Sequence, residues 1–403
     1  MTETIRIKNL GPIRDVEINP RPLTVLVGRQ ASGKSLAAQV TFFFRSIRNL
    51  AARYYSHELI AESGWQEKLV KMVLDDLRGV PFGYFADGTA YLHYKTDKTW
   101  WSVHVYKSNR SVRLNKEFKS FLTNLVHSWA DRNQQKDFKM EWFPRHLFIP
   151  TERSVFTRLS DKAPTVLYAQ HQPLLLRLFA EYLDMAKDIY SKLHEKIGRK
   201  ELASTFGEEW LESVNFILEQ QSRAIQGKAY VPRHGPKLWK WMIHSQDEEK
   251  RIVPIEATAS GQMEAWPFFV IATTMGSIFS QMSIYFEEPE THLHPMAQVE
   301  VMRTIAHLIG RGQGFFVTTH SPYLLLVINN MLEEFMVRTG KSSPEKIVLD
   351  PEKVSAYRID GTAHDLMDRG GTNLVDSDEL ERVADDLGSE FQALLDEGRK
   401  YNE

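Results

Sequence analysis

The apolar run Leu23-Thr-Val-Leu-Val27 leads directly into Gly28-Arg29-Gln30-Ala31-Ser32-Gly33-Lys34-Ser35, and a helix-favouring stretch, Leu36–Arg48, follows. A short unbroken apolar run, then a glycine loop, then a helix is the pattern of a buried parallel strand feeding a helix. The chain is thereby committed early to an α/β architecture. The loop fits G-x-x-x-x-G-K-[ST] in the strand–loop–helix context that gives the pattern a mechanism. Its glycines let the chain curl so that successive backbone N–H groups point at phosphate oxygens, and the helix adds its positive N-terminal end. Lys34 is expected to reach the β- and γ-phosphates and the Ser35 hydroxyl to ligate Mg²⁺. ATP and Mg²⁺ are the expected ligands.

Two further strands end in chemistry. Ile284-Tyr-Phe-Glu287-Glu288-Pro289-Glu290 is apolar and stops abruptly in carboxylates. In phosphoryl transfer one such carboxylate serves the metal and its neighbour polarises the attacking water, so Glu287 is assigned to Mg²⁺ and Glu288 to the water. Phe315-Phe-Val-Thr-Thr319-His320-Ser321-Pro322 is a second strand with a polar end. His320 there can hydrogen-bond a γ-phosphate or orient the water, which an aliphatic side chain cannot do.

Between these motifs the pattern alternates. Ile5, Ile7, Val16 and Ile18 predict two strands across the turn Gly11-Pro12, and strands are expected at Tyr91–Tyr94, Trp101–Tyr106 and Arg145–Pro150. Leu175, Phe179, Tyr182, Ala186, Ile189 and Leu193 recur at steps of three and four, a helical seam, and a second helix is expected over Phe206–Ser222. The expected division is a composite head from 1–50 and 250–340, a mixed α/β part of it over 51–160, a helical insertion or hairpin arm over 161–249, and a C-terminal strand and helices packed on the head over 341–403. The fold class is α/β, with a mostly parallel sheet, N-terminal antiparallel strands and a helical insertion.

The order of phosphate loop, Thr258-Ala-Ser260-Gly261-Gln262, Glu287-Glu288 and His320 resembles the ABC ATPase superfamily. Within it the chain is similar to the branch of SMC proteins, RecF-like proteins and OLD (overcoming lysogenisation defect) ATPases. The tracts Glu287–Pro295 and Thr318–Leu325 lie close to the OLD-type pattern. The resemblance implies a homodimer of heads with ATP between them, Ser260-Gly261-Gln262 of one completing the phosphate loop of the other, and His320 acting as the switch. Two departures stand out: Glu287 occupies a position that is often Asp, and Ala259-Ser260 precede Gly261-Gln262 where Ser-Gly-Gly-Gln is usual. Thr151-Glu-Arg153-Ser also resembles a tract of OLD-like ATPases, and the expectation is that Arg153 faces nucleotide. OLD-like ATPases without a nuclease domain work with a separate effector, as in PARIS-type and Septu-type anti-phage systems. A defence ATPase controlling an effector protein, such as a nuclease, is therefore the implied role. A RecF/SMC-like DNA-binding repair ATPase and a low-turnover nucleotide-gated scaffold are the alternatives.

Composition narrows the rest. With no cysteine among 403 residues, disulfides, thiolate nucleophiles and cysteine-ligated zinc are excluded. A formal net charge of −2 sets up no global basic field for nucleic acid. Basic and aromatic residues nevertheless mingle in Arg223–Trp241 (Arg223, Lys228, Tyr230, Arg233, Lys237, Trp239, Lys240, Trp241), a mix that suits either DNA contact or a loop packed on the head. The charged, alternating N-terminus reads as a strand and not as a signal peptide. The longest apolar runs, such as Tyr323–Ile328, fall far short of the ~20 residues that span a bilayer. A cytoplasmic protein without membrane contact is expected. His292 and His294 lack further clustered ligands and are read as structural, and Asp376-Ser-Asp378 is read as an acidic turn, not as the start of a nuclease domain.

Overall fold

A computed structural model describes residues 2–132, 145–158, 172–193, 196–230, 241–246, 251–276, 281–338, 347–377 and 386–395. The N-terminal strands β1 (Glu3–Leu10) and β2 (Ile13–Ile18) are followed by β3 (Leu23–Val27) and the long helix α1 (Lys34–Tyr54). Helix α2 (Trp65–Arg78) leads to β4 (Ala86–Thr96), β5 (Trp100–Tyr106), β6 (Val112–Leu114), α3 (Lys116–Arg132) and β7 (His146–Ile149). Then come α4 (Leu174–Leu193), α5 (Lys196–Phe206) and α6 (Glu208–Ala224), and three short strands, β8 (Gly227–Tyr230), β9 (Met242–Ser245) and β10 (Ile252–Pro254). Helix α7 (Ser260–Ile271), β11 (Ser283–Glu287), α8 (Pro295–Gly310), β12 (Gly314–Thr319), α9 (Pro322–Val337), β13 (Val354–Ile359) and β14 (Ala363–Asp365) complete the chain's order.

The central sheet has the order β14-β13-β3-β12-β11-β7, parallel throughout except for the edge pair β13–β14. All five residues of β3 are buried, as expected of a parallel strand covered on both faces. The second sheet, β2-β1-β4-β5-β6, is antiparallel. Its inner face is apolar (Ile5, Ile7, Val16, Leu92, Val103), and its other face carries Arg6, Lys8, Tyr91, His93 and Lys95. The expected α/β class, with a mostly parallel sheet and N-terminal antiparallel strands, is the one observed.

Helix α1 touches strands of both sheets, β1 on one side and β7, β11 and β12 on the other. Phe42 makes edge contacts with Phe148 (5.4 Å) and Tyr285 (5.3 Å), and Tyr285 stacks on Phe316 at 5.4 Å. This aromatic cluster fastens the helix that starts at Lys34 to the strands that end at Glu287 and Thr319.

Two features add to the expected division. The insertion is not purely helical, because β8, β9 and β10 form an antiparallel sheet of their own. The α4 seam buries Leu175, Phe179, Tyr182, Ala186 and Leu193 and packs on β7 and α7. Trp241, fully buried between Tyr190 (5.5 Å) and Trp266 (4.3 Å), ties this region to α7. Arg233, Lys237, Trp239 and Lys240 lie outside the described residues, as does Asp378. In the C-terminal helical segment 386–395 every residue is exposed among the described residues, including Leu387, Phe391 and Leu394. Among the described residues no helix is long and apolar enough to cross a membrane.

Phe148 is completely buried in the aromatic cluster, so Phe148→Ala should cost about 3–5 kcal/mol. A urea unfolding midpoint unchanged from wild type would show that α1 is not held to the sheet through these rings.

Candidate functional site

Parallel pairing brings every candidate strand end to one edge of the sheet. Val27 pairs with Thr319, Thr318 with Glu287, and Phe286 with Ile149. The phosphate loop, the acidic pair, His320 and Thr151–Arg153 therefore emerge side by side, at the carboxyl ends where open α/β sheets bind ligands.

The loop has the backbone its glycines allow. Gly28 and Gly33 sit at φ 149° and 105°, and Ala31 at 60°. A Cβ on Gly28 would collide with the Ile359 carbonyl at the end of β13, and one on Gly33 would lie 2.6 Å from the Ile13 side chain. Helix α1 starts with no side-chain cap, which leaves first-turn N–H groups free for an anion. Arg29, Gln30 and Ala31 are exposed, while Ser32 keeps a buried hydroxyl that no hydrogen bond satisfies among the described residues. The Lys34 ammonium is folded back on its own loop, donating to the carbonyls of Gly28 (2.8 Å) and Arg29 (2.9 Å). Burial lowers its pKa to about 8, with Glu288 and Glu290 opposing the shift.

Glu287, the last residue of β11, is almost wholly buried. Burial pushes its carboxyl up to about 7, while the Ser35 hydroxyl favours the ionised form. Thr151 Oγ1 donates to Oε2 at 3.4 Å, and Oε1 has no partner among the described residues. A buried carboxylate oxygen without a partner costs free energy unless a donor or cation meets it. Oxygen donors from Glu287 and Ser35 suit a hard divalent cation that takes its remaining ligands from phosphate and water, so Mg²⁺ fits.

Glu288 lies at φ 43°, a left-handed conformation that costs a non-glycine residue about 1–3 kcal/mol. Its N–H donates to the Thr318 carbonyl (2.9 Å), and its own carbonyl accepts from the Thr291 hydroxyl (2.9 Å). Its carboxylate stands 3.5 Å from His320 Nε2. Burial, and next the charge of Lys34, hold His320 below the ordinary histidine range, against a smaller pull from Glu288. Lys34, Glu288 and His320 are thus brought together, each within electrostatic reach of the others. Glu290 completes the cluster: its Oε1 accepts from the His320 N–H (2.6 Å) and the Thr319 hydroxyl (2.8 Å). Burial raises its pKa, with the His320 N–H opposing.

Ser260, Gly261 and Gln262 form the first turn of α7. Among the described residues no hydrogen bond or ion pair joins them to Gly28–Ser35. Gln262 accepts from the Ala259 N–H (3.2 Å) and donates to the Ile225 carbonyl (2.6 Å), while Ser260 is exposed. His292 sits at φ 58°, and His294 caps α8 through the Met296 N–H.

Arg153 is a correction. It does not face nucleotide but is completely buried beneath the acidic pair, donating to the carbonyls of Pro150 (3.2 Å), Glu264 (3.1 Å), Glu287 (3.0 Å) and Glu288 (3.0 Å). Sequence reasoning placed it near the site and misread its direction. It also missed Gln298, which accepts from the Ser321 hydroxyl (2.6 Å) and donates to the Leu293 carbonyl (3.1 Å). The usable signal for Arg153 was its position four residues past the end of a core strand.

Comparison with known proteins sets this geometry in a family. No curated protein matches the chain. Similar solved structures include an Smc head bound to the C-winged helix domain of ScpA, 14% identical, covering 90% of this chain and 96% of that one, with a TM-score of 0.48. An Smc head with an extended coiled coil, bound to the C-terminal domain of ScpA derived from Pyrococcus furiosus, is 13% identical over 96% of this chain and 99% of that one, TM-score 0.44. The SMC head domain from Thermotoga maritima is 10% identical over 90% and 97%, TM-score 0.38. The family described as the AAA ATPase domain matches residues 93–325, which take in Arg153, the acidic pair and His320 and begin after the phosphate loop. With more than half of its length matched, this chain belongs to the AAA ATPase domain family.

Proposed function

We propose that the chain binds Mg-ATP on Gly28–Ser35 and hydrolyses it, working as a homodimer whose nucleotide state controls a separate effector protein. The observation that carries this reading is the meeting of Lys34, Glu288 and His320 beside the phosphate loop.

Lys34 would exchange the Gly28 and Arg29 carbonyls for β- and γ-phosphate oxygens. Glu288, on a backbone fixed by Thr318, would orient the attacking water and accept its proton. A neutral His320, its backbone N–H pinned by Glu290, presents one ring N–H toward the γ-phosphate. Ser35 and Glu287 would hold Mg²⁺, which when bound neutralises charge on the β- and γ-phosphates. Ser260-Gly261-Gln262 opens a helix at the exposed Ser260 and is not joined to its own phosphate loop among the described residues, which suits contact with a partner's nucleotide. The defence role rests on the likeness of Glu287–Pro295 and Thr318–Leu325 to OLD-type tracts.

Lys34→Ala removes a charged phosphate contact and should weaken ATP binding about 10- to 100-fold, as read by titration calorimetry. Glu288→Gln keeps the side-chain volume but loses the base: binding should persist while turnover falls roughly 10²- to 10⁴-fold. Phosphate release at the wild-type rate would overturn the assignment and leave a nucleotide-gated scaffold.

A pH test follows from Glu287. Its folded pKa, about 7, lies above the ordinary carboxylate value of 4.5. The proton is therefore retained on folding, and its stabilising contribution is full below the ordinary value and lost as pH rises through about 7. Ligand-free wild type should lose ground to Glu287→Gln in melting temperature across that rise. Mg²⁺-dependent ATP binding should strengthen over the same interval, as the carboxylate becomes available. A parallel course for wild type and variant would remove Glu287 from the metal site.

A further inference from the structure

We infer that Arg153 is a positioning residue that holds Glu288 in its left-handed conformation and joins it rigidly to the N-terminal end of α7 through Glu264, so that whatever binds at Ser260 is felt at Glu288. The inference rests on the proposed ATPase reading and adds a route by which a partner's nucleotide sets the activity of this head.

Arg153 is completely buried, where a guanidinium is costly unless its donors are satisfied. Its Nη1 donates to the Pro150 and Glu287 carbonyls, its Nη2 to the Glu288 carbonyl, and its Nε to the Glu264 carbonyl. These oxygens belong to the ends of β7 and β11 and to α7, so one planar group gathers three elements. The guanidinium also lies 5.1 Å from the centre of the Phe286 ring, and the Glu264 carboxylate stands 3.3 Å from Nε. Lysine, a single point of three donors, cannot reproduce this fork. The bond to the Glu288 carbonyl acts on the very peptide whose backbone is strained.

A second contact reinforces the first. A Cβ on Gly261 would lie 2.7 Å from the His292 carbonyl, so α7 touches the segment after the acids with no room for a side chain. Gly261 and Glu264 are three residues apart, on one face of the helix. The N-terminal end of α7 is therefore fixed to Glu287–His292 at two points, directly at Gly261 in its first turn and through Arg153 at Glu264 where the second begins, close behind the exposed Ser260. Movement of that turn on meeting a ligand must carry the acidic segment with it.

The test uses Arg153→Lys, Arg153→Gln and Glu264→Gln in the full chain, with ATP binding, steady-state turnover, its Hill coefficient and its pH profile measured for each. The Arg153 variants should lose about 10- to 100-fold in kcat with KM changed by less than about threefold, and the Hill coefficient should fall to about 1. Arg153→Lys should not rescue kcat. Glu264→Gln keeps the main-chain acceptor and the volume, and should lose cooperativity while retaining most of its binding. Wild-type kcat and cooperativity in folded Arg153→Gln would overturn the inference. If the Arg153 variants do not fold, wild-type cooperativity in Glu264→Gln overturns it. A wild type that is itself non-cooperative does the same. Failure of the ATPase reading is distinguishable: there Glu288→Gln turns over normally, whereas here Glu288→Gln is inactive and only the Arg153 and Glu264 variants behave as wild type.

Discussion

One lysine and three carboxylates meet at one edge of the sheet, Lys34 and Glu287 buried and Glu288 and Glu290 half-buried, and the packing around them holds them there. Lys34 is pulled toward losing its proton by burial and toward keeping it by Glu288 and Glu290. Burial pushes Glu287 and Glu290 toward keeping their protons. Lys34 and Glu287, the two buried groups, would each be poorly placed alone in such surroundings. Together they leave a site whose missing partner is a charged one: Lys34 occupied by its own loop, and Glu287 with an unmatched oxygen. A triphosphate with its divalent cation supplies both complements, an anion for the lysine and a cation for the acid.

What keeps these charges in place is strand pairing and packing, not attraction among themselves. The parallel register places Glu287 opposite Thr318, and Thr319 opposite Val27. Phe42, Phe148, Tyr285 and Phe316 then fix α1 over those same strands. The apolar interior sets the geometry first, and the polar ends inherit it, so the site is organised before any ligand arrives. Preorganisation of this kind lets charged groups act without the cost of rearranging at the moment of reaction.

Much of this was legible in the residues. The run Leu23–Val27 with its glycine loop, and the apolar runs ending at Glu287 and Thr319, carried the α/β class and the strands of the site because burial on both faces leaves a one-dimensional signature. Less was legible where a residue's function depends on contacts across the fold. Arg153 follows a strand as a nucleotide-facing arginine would, and only the approach of α7 turns it inward. Gln262 spends its amide on Ala259 and Ile225, bonds that no spacing announces. Strands β8–β10 are three or four residues long, too short for alternation to separate them from loop. The segment 386–395 has helical periodicity in Leu387, Phe391, Leu394 and Leu395, yet those side chains are exposed. Periodicity reports that a helix has an apolar face, and not what that face meets.

The misreading of Arg153 follows from the physics of a strand end. Past the last ladder bond, carbonyls such as those of Pro150, Glu287 and Glu288 have no neighbouring strand to donate to them. Where such an end is exposed, water satisfies them; here α7 covers it, and a donor from the protein must take water's place. One guanidinium brings five N–H groups in a plane, enough to serve several carbonyls at once. The arginine that closes the strand ends therefore also sets the backbone that carries Glu288, because the carbonyls it satisfies belong to the acids themselves. Positioning of the acid and burial of the sheet's edge are a single structural solution, and a change that relaxes one must disturb the other.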